Sequence, residues 1–222
     1  MVRLEELATS ARSCVRCPLH RGRTQVVFGE GPAGATLMVV GEAPGEAEDR
    51  LGRPFVGRSG QLLDRLLAEE AGLDRSEVYI ANVVKCRPPA NRDPLPAEVA
   101  ACRPYLDSQV ELVGPRVLLT LGNFATRALL RTTAPIGSLR GRYHQYGPGP
   151  GPASGPVLVL VPTFHPAFAL RNRTETLPAM RADFVRAKRA LADPASALAA
   201  ASAGVSSRPS AGASSRPSAG AR

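Results

Sequence analysis

The chain has 222 residues, with 28 Lys or Arg against 19 Asp or Glu and a net charge of +9. That length buries one substantial core, and the basic surplus suits a polyanionic partner, a solvated basic surface being the plainer reading of the same charge. No apolar run of 18 residues occurs and the N-terminus "MVRLEELATSARSC" carries acids without an apolar stretch, which argues against a membrane span or signal peptide and leads to the expectation of a cytoplasmic monomer with no membrane partner.

Cys14 and Cys17 form a C-x-x-C near the start of the chain, and Cys86 and Cys102 follow far downstream. In a reducing compartment four cysteines point to metal ligation or redox chemistry rather than to two disulfides. A site built from all four could hold zinc or an iron–sulfur cluster; the loose spacing tilts mildly towards [4Fe–4S], because zinc sites usually pair two short knuckles. His20 is redundant beside four thiols.

The first strand pattern, "TLMVVGEA" (36–43), runs into "GEAPGEAEDRLGRPFVGRSG" (41–60), with five glycines, two prolines, four acids and one aromatic, Phe55. Glycines after a strand usually cradle phosphate, but no G-K-S/T follows and Glu42, Glu46, Glu48 and Asp49 would repel one, so the loop suits an uncharged ligand. Ser59 reads as the N-cap of a helix over 60–72, with Arg58 beside it suited to phosphate.

Further strands are predicted at 78–84, 117–123 and 157–164, and helices at 96–113 and 124–131. The alternation predicts an α/β fold, a three-layer α/β/α sandwich on a central four-stranded, mainly parallel sheet, with ligands outside the carboxyl ends of the strands. Residues 146–156 read as a loop. The expected domain is 1–194; residues 195–222, nearly all Ala, Ser, Gly, Pro and Arg with "SSRPSAGA" repeated at 206–213 and 214–221, read as a disordered tail.

Three segments follow the strands: "GEAPGEAED", then Asn82 and "NVVKCRPP", then "HPAFALRN" (165–172). With "GRPFVG" and the four cysteines, this set resembles family 4, the iron–sulfur-containing uracil-DNA glycosylases, from about Cys14 to Leu191. The resemblance implies an enzyme that flips uracil out of single- or double-stranded DNA and hydrolyses its N-glycosidic bond, leaving an abasic site. It implies a structural [4Fe–4S] cluster on Cys14, Cys17, Cys86 and Cys102, and no catalytic metal. Phe55 would stack on the base, Asn82 would read its edge, and the backbone of Ala43 and Gly45 would approach a pyrimidine oxygen. His165 would donate to O2 as charge develops there, and Glu42 would position water or stabilise the sugar, since Ala43 stands where better-known relatives carry an Asp. Glu48 would shape the pocket near C5, and Leu170 and Arg171 would fill the vacated stack and contact phosphate. Two other readings of the same residues are a protein that traps uracil-DNA without turnover, against which the histidine-free "KCRPPANRDPLP" counts, and a DNA-binding module stabilised by the four cysteines, without catalysis.

Overall fold

The computed structural model describes residues 3–147 and 156–206. Four strands, β1 (Leu37–Gly41), β2 (Tyr79–Asn82), β3 (Val117–Leu121) and β5 (Leu158–Thr163), run parallel in the order β2-β1-β3-β5. They lie within the predicted strands, because continuous Val, Leu and Ile runs are what a sheet covered on both faces requires.

The expected sheet of four strands gains a fifth. β4 (His144–Tyr146) pairs antiparallel with β5 at the edge. It has three residues, is only partly buried and carries no apolar run, so neither length nor periodicity marks it.

Side chains alternate between two cores. Met38, Val40, Tyr79, Ala81, Leu118 and Leu160 pack in the core that Tyr105, Leu106 and Val110 of α4 (Pro96–Val113) and Ala125 and Leu129 of α5 (Gly122–Leu130) complete. Leu37, Val39, Ile80, Leu119, Val159 and Val161 pack on the other face against Leu62, Leu63 and Leu66 of α3 (Arg58–Leu66) and Met180, Phe184 and Ala187 of α8 (Arg173–Ala192). Helices therefore flank the sheet on both sides, as expected. The other α-helices among the described residues are α1 (Leu4–Arg12), α2 (Glu46–Leu51), α6 (Ile136–Leu139), α7 (Pro166–Arg171) and α9 (Pro194–Ser206), and a π-helical turn, Leu67–Ala71, continues α3.

Two local expectations change. Gly57, not Ser59, is the N-cap of α3, and Ser59 lies inside the first turn; the cap offers no side chain of its own, glycine being among the residues favoured there. The segment 195–206, expected in a disordered tail, is helical in α9, whose Ala197 and Ala201 are buried. Alanine has the highest helix propensity, and this helix packs on β4, β5 and α8. The rest of the predicted tail lies outside the described residues.

Candidate functional site

Parallel strands bring their carboxyl ends to one edge, and there the chain places Asn82 at the end of β2 and Glu42, Gly122 and His165 after β1, β3 and β5. Asn82 is 1% exposed, and its Oδ1 has no hydrogen-bond partner among the described residues. A buried carbonyl oxygen left without a donor is rare, and it marks a place where a ligand can supply one. Its neighbours are the Phe55 ring and Gly41: a Cβ on Gly41 would overlap Oδ1 and come within 2.5 Å of Phe55 Cζ. Only glycine lets the ring and the amide approach the strand end together.

Phe55 has φ +51, a conformation unfavourable to an aromatic residue, and several contacts hold it. Glu48 Oε1 accepts from the N–H groups of Val56 (3.0 Å) and Gly57 (3.2 Å). Arg75 donates to the carbonyls of Pro54 (2.5 Å) and Phe55 (3.1 Å) while pairing with Glu30 and Asp64. Gly60 lies directly against the Phe55 carbonyl, where any side chain would collide. The Phe55 and His165 rings lie 6.0 Å apart at 34°.

His165 caps α7, and its Nδ1 accepts from the Ala167 N–H at 3.1 Å. With Nδ1 an acceptor, the neutral ring carries its proton on Nε2. Burial, with Arg171 adding to it and Glu48 opposing, pushes the His165 pKa down to about 4, so the ring is neutral at physiological pH. Glu42 is shifted the other way: burial, then the like charge of Asp93, raises its pKa to about 7. Glu42, Asp93, Asn123, Phe164 and His165 open on one groove of about 1170 Å³.

The four cysteines are free thiols lining one small cavity. Cys14 follows α1, Cys17 precedes a turn at Pro18–Arg21, Cys86 follows β2, and Cys102 lies in α4. Among the described residues no carboxylate lines the cavity. The sulfurs face donors: the Lys85 N–H lies 3.3 Å from Cys102 Sγ and Arg23 Nη1 lies 3.4 Å from Cys86 Sγ. Burial raises the Cys86 thiol to about 11 and Cys102 above its ordinary value, so deprotonating them takes a bound cation's charge. Among the described residues no three such side chains gather closely enough for a single metal ion. Four cysteine thiols lining one cavity are a donor set suited to thiolate ligation of iron or zinc. His20 Nδ1 instead bonds the Cys17 carbonyl at 2.8 Å.

A family model described as the uracil DNA glycosylase superfamily matches residues 28–190. The chain belongs to that superfamily. A protein named type-4 uracil-DNA glycosylase from Saccharolobus solfataricus is 42% identical over 195 residues, covering 86% of this chain and 88% of the relative. A type-4 uracil-DNA glycosylase from Thermotoga maritima is 44% identical over 78% of this chain and 86% of its own. A type-5 uracil-DNA glycosylase from Mycobacterium bovis is 30% identical over 85% and 74%. The type-4 likeness agrees with the resemblance read from the strand-end motifs.

The superfamily member thus brings Glu42, Asn82, Phe55 and His165 to one edge. Ala43 is partly buried beside the first core, and Gly45 is the N-cap of α2. Glu48 serves here as the clasp of the Phe55 loop. Arg58 is exposed and Ser59 partly buried at the start of α3. Leu170 packs partly against the second core, and Arg171 is exposed near His165; the exposed apolar side chain of α7 is Phe168, 42% accessible. The sequence reading does not single out Asp93 or Gly122. Asp93 lies in a proline-rich excursion with no periodic signal, whereas Gly122, φ +91 at a strand end and tight against His165, could have been found as a glycine directly after an apolar run.

Proposed function

We propose that this protein removes uracil from DNA by hydrolysing the bond between uracil N1 and the sugar C1′, leaving an abasic site. The observation that carries the reading is the buried, unpartnered Oδ1 of Asn82 beside the Phe55 ring. Uracil N3–H supplies the missing donor, and the same amide's NH2 donates to O4, a pattern that cytosine does not match. The Phe55 ring offers its face to a flipped base, a contact worth about 1–3 kcal/mol.

As the bond breaks, negative charge spreads onto the pyrimidine oxygens. The Nε2–H of a neutral His165 donates to O2 and strengthens as that charge grows. Glu42 orients water towards C1′ and takes its proton, or as a carboxylate steadies the cationic sugar. Glu48 keeps Phe55 in place through the loop backbone. Arg58, Ser59 and Arg171 contact phosphate, and Leu170 enters the gap left by the base.

Cys14, Cys17, Cys86 and Cys102 would hold a [4Fe–4S] cluster, which when bound supplies iron–thiolate bonds tying the N-terminal segment to the excursion between β2 and α4. Its role is structural.

The test is incubation with a uracil-containing oligonucleotide in EDTA, followed by hot alkali. Expected is strand scission at the uracil position with several turnovers per protein. Retention of the oligonucleotide without scission would overturn the reading.

A further inference from the structure

Beneath the strand-end pocket lies a cation that the proposed mechanism leaves unused. Lys85 is 2% exposed, and lysine is almost never fully buried unless its ammonium has partners. Here it donates to the main-chain carbonyl of Asn82 at 2.6 Å and to Gln109 Oε1 at 2.5 Å. The Gln109 NH2 is committed elsewhere, to the Phe28 carbonyl (2.8 Å) and the Tyr79 hydroxyl (3.0 Å). That commitment turns Oε1 towards the ammonium and fixes the amide's orientation.

Asn82 is the last residue of β2, so its carbonyl lies at the end of the ladder, inside the protein, and needs a donor. Lys85 provides one with a full charge, stronger than a neutral bond. Its own main chain is anchored on both sides: the N–H points at Cys102 Sγ and the C=O accepts from Val27 N–H at 2.8 Å. The turn 83–84 is pinned as well, with Val83 N–H on the Gly41 carbonyl (2.9 Å) and Val84 N–H on that of Glu42 (3.1 Å).

We propose that Lys85 is a positioning residue for base recognition: an ammonium strut, aimed by Gln109, that holds the Asn82 main chain so that the side-chain amide meets the base edge. One residue then links the wall of the thiol cavity to the amide that reads the base. The inference rests on the proposed role of Asn82. It adds that the amide's placement depends on a bond from below, since a shift of a few tenths of an ångström at the Asn82 peptide carries Oδ1 with it.

The experiment compares affinity for a duplex carrying 2′-fluoro-2′-deoxyuridine, which resists cleavage, with affinity for the same duplex carrying thymidine. The ratio reports base reading; thermal midpoint and metal content per chain report folding. Gln109→Leu loses the bonds to Phe28, Tyr79 and Lys85, whereas Gln109→Glu loses the one to the Phe28 carbonyl but keeps an acceptor for Lys85 and for the Tyr79 hydroxyl. Expected is a fall of about tenfold in the ratio for Gln109→Leu and for Lys85→Met, with metal content unchanged, and a ratio within about twofold of wild type for Gln109→Glu despite a lowered midpoint. Equal ratios in the two Gln109 variants would overturn the proposal, as would a wild-type ratio in a folded Lys85→Met. The Gln109 pair decides the matter even if Lys85→Met does not fold. Asn82→Ala separates the two levels: if it keeps the wild-type ratio, the reading of Asn82 fails and the proposal with it, whereas its loss beside an intact Lys85→Met ratio overturns the proposal alone.

Discussion

The strand-end pocket and the thiol cavity are built in opposite ways. Around the pocket the aromatic and imidazole rings are already held by the protein: Glu48 and Arg75 clasp the Phe55 loop and the Ala167 N–H sets the His165 ring, while among the described residues Asn82 Oδ1 is buried without a partner. The cavity draws its thiols from three segments of the chain, the C-x-x-C and two lone cysteines, and lines them with Arg16, Arg23 and Lys85 beside apolar Ala11 and Val26. Preorganised donors cost nothing to align when the substrate arrives, whereas the cavity's cohesion depends on what binds there. Changes at the pocket should therefore cut activity with little effect on folding, and changes at the cavity should do the reverse.

The largest effect expected is at the pocket. An ionised Asp at position 82 would repel O4, so Asn82→Asp should lower the single-turnover rate on uracil by about 10⁴-fold, with the thermal midpoint shifted little. A mutant within about threefold of wild type at saturating DNA would show that the base is read elsewhere. At the cavity, Cys86→Ala or Cys102→Ala should remove the brown colour of thiolate-bound iron and several kcal/mol of stability together, since ligation is folding energy. Colourless wild-type protein holding one zinc would sink the iron assignment and keep the four-thiol site.

The third prediction sharpens the pocket's electrostatics. With Glu42 titrating at about 7 and active as the carboxylate, the rate should fall about tenfold per pH unit below 7. His165, neutral down to about 4, adds no limb in that range. Asp93→Asn removes a like charge, so the acid limb should move to lower pH; a limb that stays put would remove Asp93 from the site. The smallest effect is at the surface. Arg171→Ala should flatten the log–log salt dependence of DNA affinity by about one unit if it contacts phosphate, and an unchanged slope would leave it a solvated side chain.

The contrast also explains what is legible without the structure. The four parallel strands are legible because Val, Leu and Ile runs have few other uses, and the strand-end motifs point to Asn82, His165 and Phe55. Short polar β4 is not legible, nor is α9, whose Ala-rich composition resembles that of a disordered tail until β4 and β5 give it a surface. The resemblance places Glu48 near C5 of the base but does not give its protein partners. The bonds from Glu48 to Val56 and Gly57 depend on a turn that no periodicity encodes. Lys85 passes as one more basic residue, since burial of a charge becomes visible only when the elements around it are assembled.

The left-handed backbone at Phe55 reaches beyond the stacking contact. A bulky residue there stores about 1–3 kcal/mol of strain, held in by its surroundings. The Arg75 guanidinium gathers Glu30, Asp64 and two loop carbonyls, and Gly60 seats the first turn of α3 on the Phe55 carbonyl. Sharing these contacts, the parts should open together. In hydrogen exchange the amides of 55–57 and of the start of α3 should share one opening free energy, set by Arg75 rather than by loop length. Such a shared free energy, lower than that of the sheet, would make the pocket floor a unit that opens while the sheet stands and releases the strain at Phe55 as it does.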